Sequence, residues 1–175
     1  MTHNRFPSRR FYGQQMQTTL SGMHMQQSVM DSALNRHGYT GRRVLGYRLP
    51  VWQRPEVWTD DQCGRFIQSV WMGVGLGSFM VNCAYGGTSE DVHMVLLDGQ
   101  QRLRSIERYW ADELAVTGDD GNGYFWSEMR EDERAHFMRI PFPWIETSYK
   151  TDAEMREAYN RHNFGGTNHT KNQHA

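Results

Sequence analysis

Apolar positions are concentrated between about Arg43 and Tyr159, and their period changes along that stretch. Arg43–Pro50 is a short strand-like run ended by a proline. Thr59-Asp60-Asp61-Gln62 has the capping-box form, in which Thr59 accepts from a first-turn N–H and Gln62 reaches back. The helix it starts sets Phe66, Ile67, Val70 and Trp71 on its apolar side, and Gly73 stops it. Ser78–Cys83 and Val92–Leu97 read as two strands around Gly86-Gly87, the second apolar enough to be covered on both faces. Gln101–Ala111 is helical by period, with Leu103, Ile106 and Trp110 inward. Leu114–Trp126, broken by Gly118–Gly123, reads as a hairpin. A polar helix is expected from Ser127, as N-cap, to about Met138. Ile140–Ile145 carries Pro141 and Pro143, which suits an edge strand. Thr151-Asp152-Ala153-Glu154 repeats the capping box and opens a helix ending near His162, before Gly165-Gly166.

The two ends are polar. Residues 1–38 are rich in Gln, Met, Ser, Thr and Arg; a marginal helix sets Leu20, Met23, Met30 and Leu34 loosely on one side. So little apolar surface predicts a flexible arm or a segment docked on a partner. Residues 39–166 are expected to form one α+β domain with a small mixed sheet packed by helices, and 167–175 a disordered tail.

Composition narrows the role. A chain of 175 residues allows one domain of ordinary size, and six Trp, eight Tyr and eight Phe supply large core anchors despite a mean hydropathy of -0.78. A formal charge of -1 argues against a protein whose main task is neutralising phosphates along a duplex, so DNA binding requires a local patch. Cys63 and Cys83 form no C-x-x-C pair and read as thiols in a reducing compartment. There is no signal-peptide core and no run of about 18 apolar residues. These features predict a cytoplasmic protein with no membrane partner.

The candidate chemistry centres on Asp98-Gly99-Gln100-Gln101-Arg102, where a buried strand turns at a glycine into a helix. Helix N-termini leave N–H groups unpaired and attract anions. Gly99 removes a Cβ from the approach, and Arg102 adds a forked donor matched to phosphate oxygens. Gln100 and Gln101 are placed to position a water or bind a base or ribose, and Asp98 to hold a metal ion or orient a nucleophile. Alone, the turn is equally an ordinary strand–helix connection with Asp98 as cap and Arg102 on the surface. Pro50–Thr59, with Gln53-Arg54 between two tryptophans, and Tyr159–Thr170 are further polar segments, each unremarkable by itself. Gly73-Val74-Gly75-Leu76-Gly77 lacks the Lys-Ser/Thr ending of a P-loop. The acidic run at Glu128–Glu133 reads as a solvated face, and His93 as a core residue.

In this order, a proline-flanked Gln-Arg, then D-G-Q-Q-R-L, then R-x-N-x-G-G-T-x-x-T resembles the GmrS half of GmrSD-type, modification-dependent restriction systems. That family is grouped with the ParB/sulfiredoxin superfamily, and the resemblance covers about Val44 to Thr170. It implies a compact α+β, ParB/sulfiredoxin-like fold with nucleotide binding, and in some members nucleoside-triphosphate hydrolysis, at the D-G-Q-Q-R turn. Carried over by position, the site would comprise Asp98, Gly99, Gln100, Gln101, Arg102, Gln53, Arg54, Arg161, Asn163, Gly165 and Gly166. Restriction members continue into more helices and an HNH-type nuclease domain, for which these 175 residues offer no candidate. His162, His169 and His174 read as solvated tail histidines.

Two functions are compatible with this pattern. One is a Mg²⁺-dependent nucleotide hydrolase or nucleotide-gated switch, with Asp98, Gln100 and Arg102 as catalytic residues, Asp98 as metal ligand, and Arg54 or Arg161 closing over the phosphates. It would act in phage–host DNA restriction or anti-restriction. The other is a non-enzymatic module that regulates or blocks a separate nuclease or host defence complex. Nuclease activity on DNA by the fold itself ranks below both.

Overall fold

The computed structural model describes residues 8–84 and 93–164. In chain order the elements are β1 (Gln14–Thr19), α1 (Leu20–Arg36), β2 (Arg43–Val44), β3 (Tyr47–Arg48), α2 (Asp60–Trp71), β4 (Phe79–Cys83) and β5 (His93–Asp98). They continue with α3 (Gln100–Trp110), β6 (Val116–Thr117), β7 (Gly123–Tyr124), a 3₁₀ turn (Trp126–Glu128), α4 (Glu131–Met138), β8 (Pro141–Thr147) and α5 (Asp152–Phe164). Six strands form one mixed sheet in the order β1-β8-β4-β5-β3-β2, and β6 and β7 form a separate hairpin. This is the expected α+β architecture with a mixed sheet.

Alternation along β5 sorts its side chains onto two cores. Leu96 joins the larger one, built with Leu20 and Met23 of α1, Ile67 and Val70 of α2, Leu103 and Ile106 of α3 and Phe137 of α4. Val95 and Leu97 face a smaller one with Ala84 and Met155 of α5. The near-continuous apolar run of β5 thus reflects cover on both faces. Helix α3 lies on one side of the sheet and α5 on the other, and both approach the end of β5 at Asp98.

Local chemistry accounts for the elements. Thr59 Oγ1 accepts from Gln62 N–H while Gln62 Oε1 accepts from Thr59 N–H, the reciprocal cap read from the sequence. Thr151 and Glu154 make the same exchange at the start of α5. Gly118 N–H closes the β6–β7 hairpin on the Asn122 carbonyl at 2.8 Å.

Several expectations need correction. The segment 1–38 is no free arm where it is described: β1 pairs antiparallel with β8 from Gln14↔Glu146 to Thr19↔Pro141, and α1 buries Leu20, Met23 and Leu34. Polar residues dominate it because only one stripe of α1 is covered. β8 is an interior strand, not an edge. Its prolines are tolerated because β4 pairs only with Trp144–Thr147, leaving Pro141 and Pro143 outside that ladder. The run Arg43–Pro50 is folded on itself, since Leu45 and Gly46 take φ of 47° and 80°, the signs of a tight hairpin turn. Leu45 is buried there, and its N–H donates to Glu107 Oε1 at 2.8 Å. Burial pushes the Glu107 carboxyl above its ordinary value, against the Leu45 N–H and Arg104, which favour its charged form. Ser127 is no N-cap: it lies inside the 3₁₀ turn, and α4 starts four residues later, where Glu133 accepts the Arg130 N–H. The Gly86-Gly87 turn and the tail 167–175 lie outside the described residues.

Candidate functional site

The cleft at the end of β5 has a volume of about 90 Å³ and is lined by ten residues: Gln53, Arg54, Trp58, Asp98, Gly99, Gln100, Gln101, Arg102, Tyr159 and Asn163. The three separated sequence patterns therefore meet in one place. The Gln53-Arg54 loop forms one wall, the β5–α3 turn the floor, and the end of α5 the opposite wall. Asp98 is the last residue of β5 and Gly99 the N-cap of α3, with φ 96° and no side-chain capping bond. The first-turn amides of α3 thus end in the cleft without a side-chain cap.

Gly99 has a structural reason to be glycine. Its φ disfavours any side chain, and a Cβ there would stand 2.6 Å from Phe79 Cβ in β4. The turn is pressed against the neighbouring strand, which fixes where the helix begins.

The two glutamines act as staples. Gln101 is buried, and its Oε1 accepts from the N–H groups of Val57 and Trp58 at 3.1 and 3.2 Å while Nε2 donates to the Pro55 carbonyl at 3.3 Å. Gln100, with its amide nitrogen toward the Arg54 carbonyl (3.0 Å) and its oxygen toward Arg42 Nη2 (2.9 Å), ties the same loop one turn earlier. Arg42 also donates to the Gln53 carbonyl at 3.0 Å. These amides hold the Gln53–Trp58 loop over the helix terminus, so both side chains are engaged in the scaffold.

Arg102 is likewise committed. Its guanidinium donates to the carbonyls of Leu76 and Ser78 at 2.6 and 3.0 Å and to Asp98 Oδ2 at 2.9 Å. It anchors the lead-in of β4 to the turn, leaving part of its fork for a ligand. Arg54 is different: it is exposed at the cleft wall, and among the described residues its side chain has no hydrogen-bond or ion-pair partner. Gln53 is 5 % exposed, its Nε2 faces the Leu97 carbonyl at 3.5 Å, and its Oε1 has no partner.

From α5 the cleft receives Asn163, whose Nδ2 donates to the Tyr159 carbonyl at 3.0 Å, and the buried Tyr159, whose ring meets Trp52 edge-on at 5.2 Å. Arg161 is not brought in: it is exposed, pairs with Glu157 at 3.0 Å and lies over the Phe11 ring. On a helix, positions 161 and 163 point about 200° apart, so one motif cannot deliver both side chains to one cleft. Gly165 and Gly166 lie outside the described residues, as do His169 and His174. His162 is no tail residue. It sits on α5 with Nε2 at 3.6 Å from Asp98 Oδ2. Trp58, Tyr159 and His162 were not picked out from the sequence as cleft residues; α5 periodicity joins Tyr159 to Asn163 at i,i+4, the signal that was available.

Among the described residues, Asp98 is the only carboxylate lining this cleft, and no group of three or more His, Cys, Asp or Glu could hold a metal ion. Mg²⁺ bound with a nucleotide needs only one or two protein carboxylates, the phosphates and water completing its shell. No helix among the described residues is long and apolar enough to cross a membrane.

A family model of the GmrSD restriction endonuclease N-terminal domain matches residues 33–163, a span that includes every residue lining the cleft. No curated protein and no solved structure matches the chain. With three-quarters of its length matched, the chain belongs to the family of GmrSD restriction endonuclease N-terminal domains.

Proposed function

We propose that the cleft binds the phosphate chain of a nucleotide and that the domain acts as a nucleotide-dependent element of a DNA restriction or anti-restriction system. The observation that carries this reading is the pairing of an uncapped helix N-terminus with an unpaired guanidinium, that of Arg54, across one narrow cleft. Backbone amides at a helix start and an arginine fork are the donors that phosphate oxygens accept from most strongly. Arg102, Gln100 and Gln101 build the cleft and Arg54 supplies the free charge. Mg²⁺ brought with the nucleotide would meet Asp98 and offset phosphate charge.

Hydrolysis is the finer reading. Asp98, with His162 beside it, is the group placed to orient an attacking water. The engagement of both glutamine side chains favours a binding switch over turnover, and a regulatory module acting on a separate nuclease or defence protein fits the same geometry. Calorimetry with the four ribonucleoside triphosphates and Mg²⁺ tests binding, and phosphate release tests turnover. Arg54→Ala is expected to weaken binding at least about tenfold, as befits loss of a charge-assisted contact, with an unchanged melting temperature. Arg102→Ala is expected to lower both affinity and melting temperature, because it also unties β4. Absence of binding by the wild-type chain to all four nucleotides would refute the reading.

A further inference from the structure

The cleft holds one polar group that phosphate does not satisfy. Among the described residues, Gln53 Oε1 is a buried acceptor without a partner, on a residue that lines the cleft. Its orientation is fixed, since Nε2 faces the Leu97 carbonyl at 3.5 Å and turning the amide would set oxygen against oxygen. Buried acceptors left unpaired are rare and costly, so they mark a place where a ligand completes the bond. Phosphate oxygens are acceptors and would be repelled there.

Resting on the nucleotide reading above, we infer that Gln53 Oε1 accepts a hydrogen bond from a ribose hydroxyl, making Gln53 a specificity-determining residue that selects ribonucleotides over deoxyribonucleotides. A nucleotide offers donors on its sugar and on its base. The sugar is joined directly to the phosphate chain, whereas the base lies one ring further away. The sugar edge is therefore the donor within reach of Gln53 once the phosphates meet Arg54 and the amides of α3. Sites that pair a substrate hydroxyl with a buried group discriminate strongly against analogues lacking it, because the protein group is then stranded.

The test measures binding of ATP, 2′-deoxy-ATP and 3′-deoxy-ATP, with Mg²⁺, to the full chain and to its Gln53→Met variant, which keeps length and removes the acceptor; the same ribo/deoxy pairs of the other three bases are run in parallel. The wild type is expected to bind one of the two deoxy analogues at least about tenfold more weakly than the ribonucleotide. In Gln53→Met that preference should vanish, with the ribonucleotide falling to the level of the deoxy analogue. Equal wild-type affinity for all three sugars overturns the inference while leaving the nucleotide site standing. So does a preference that persists in Gln53→Met, which would place the hydroxyl elsewhere. No binding of any triphosphate by the wild type removes the nucleotide reading itself. Should Gln53→Met fail to fold by circular dichroism, the wild-type sugar series decides: a preference of tenfold or more upholds the inference, and equal affinity overturns it.

Discussion

Single residues in the Asp98–Arg102 turn serve the scaffold first and the ligand second. Asp98, Gln100, Gln101 and Arg102 all carry side-chain bonds to protein groups, and Gly99 is squeezed against Phe79. The motif was legible in the sequence as a strand–glycine–helix turn because those constraints are local. The partners of the glutamines were not legible, since they lie more than forty residues away, at Arg42 and between Arg54 and Trp58. Arg54 was legible through the Gln-Arg motif, but not that its side chain stays without a partner among the described residues. Gly99→Ala isolates the scaffold role. It forces Ala into a left-handed conformation, costing about 1–2 kcal/mol, and crowds a packed strand, adding about 1–3 kcal/mol. Urea unfolding should therefore show a loss of about 2–5 kcal/mol, and an unchanged midpoint would mean that β4 and the turn are not in contact.

Elements show where periodicity informs and where it misleads. The helices α2, α3 and α5 were legible because caps and apolar stripes agree. Strand β8 was misplaced at an edge because its prolines argue only about their own N–H groups, while Trp144, Ile145 and Glu146 pair on both sides. The junction that locks β8 to β4 is a buried polar one that no sequence pattern announces. Asn82 is fully buried, its Oδ1 accepts from Thr147 Oγ1 at 2.9 Å and Tyr149 N–H at 2.7 Å, and its Nδ2 donates to the Tyr149 carbonyl at 3.0 Å. Asn82→Ala removes these bonds and leaves the half-buried Tyr149 N–H and carbonyl without Asn82 as partner, at a cost of about 1–3 kcal/mol in all. A melting-temperature drop is expected along with weaker nucleotide binding, because the chain leaving β8 through Tyr149 leads directly into α5 and hence to Tyr159 and Asn163. Asn82→Ala that melts like the wild type would show this network to be dispensable.

At the scale of the whole molecule, the sequence understated how much chain the fold requires. Leu20, Met23 and Leu34 look sparse among so many glutamines and methionines, yet all three are at most 7 % exposed. Spacing alone could not reveal that β1 closes the sheet against β8, since a polar strand such as Gln14–Thr19 has no apolar alternation to announce it. Removing residues 1–38 discriminates between an arm that recruits a partner and a segment that completes the core. Burying each of those three side chains stabilises by about 1.5–3 kcal/mol, and the β1 ladder adds to that sum. Typical domains have only about 5–15 kcal/mol in all. The truncated chain should thus lose its cooperative thermal transition and its amide dispersion in NMR spectra, taking nucleotide binding with it. A recruiting arm would leave both intact and abolish only association with a partner. Because α1 packs on the same sheet face as α3, the stability lost at the chain's start is felt at the helix terminus that forms the cleft, and the ligand in turn should raise the melting temperature of the full-length chain.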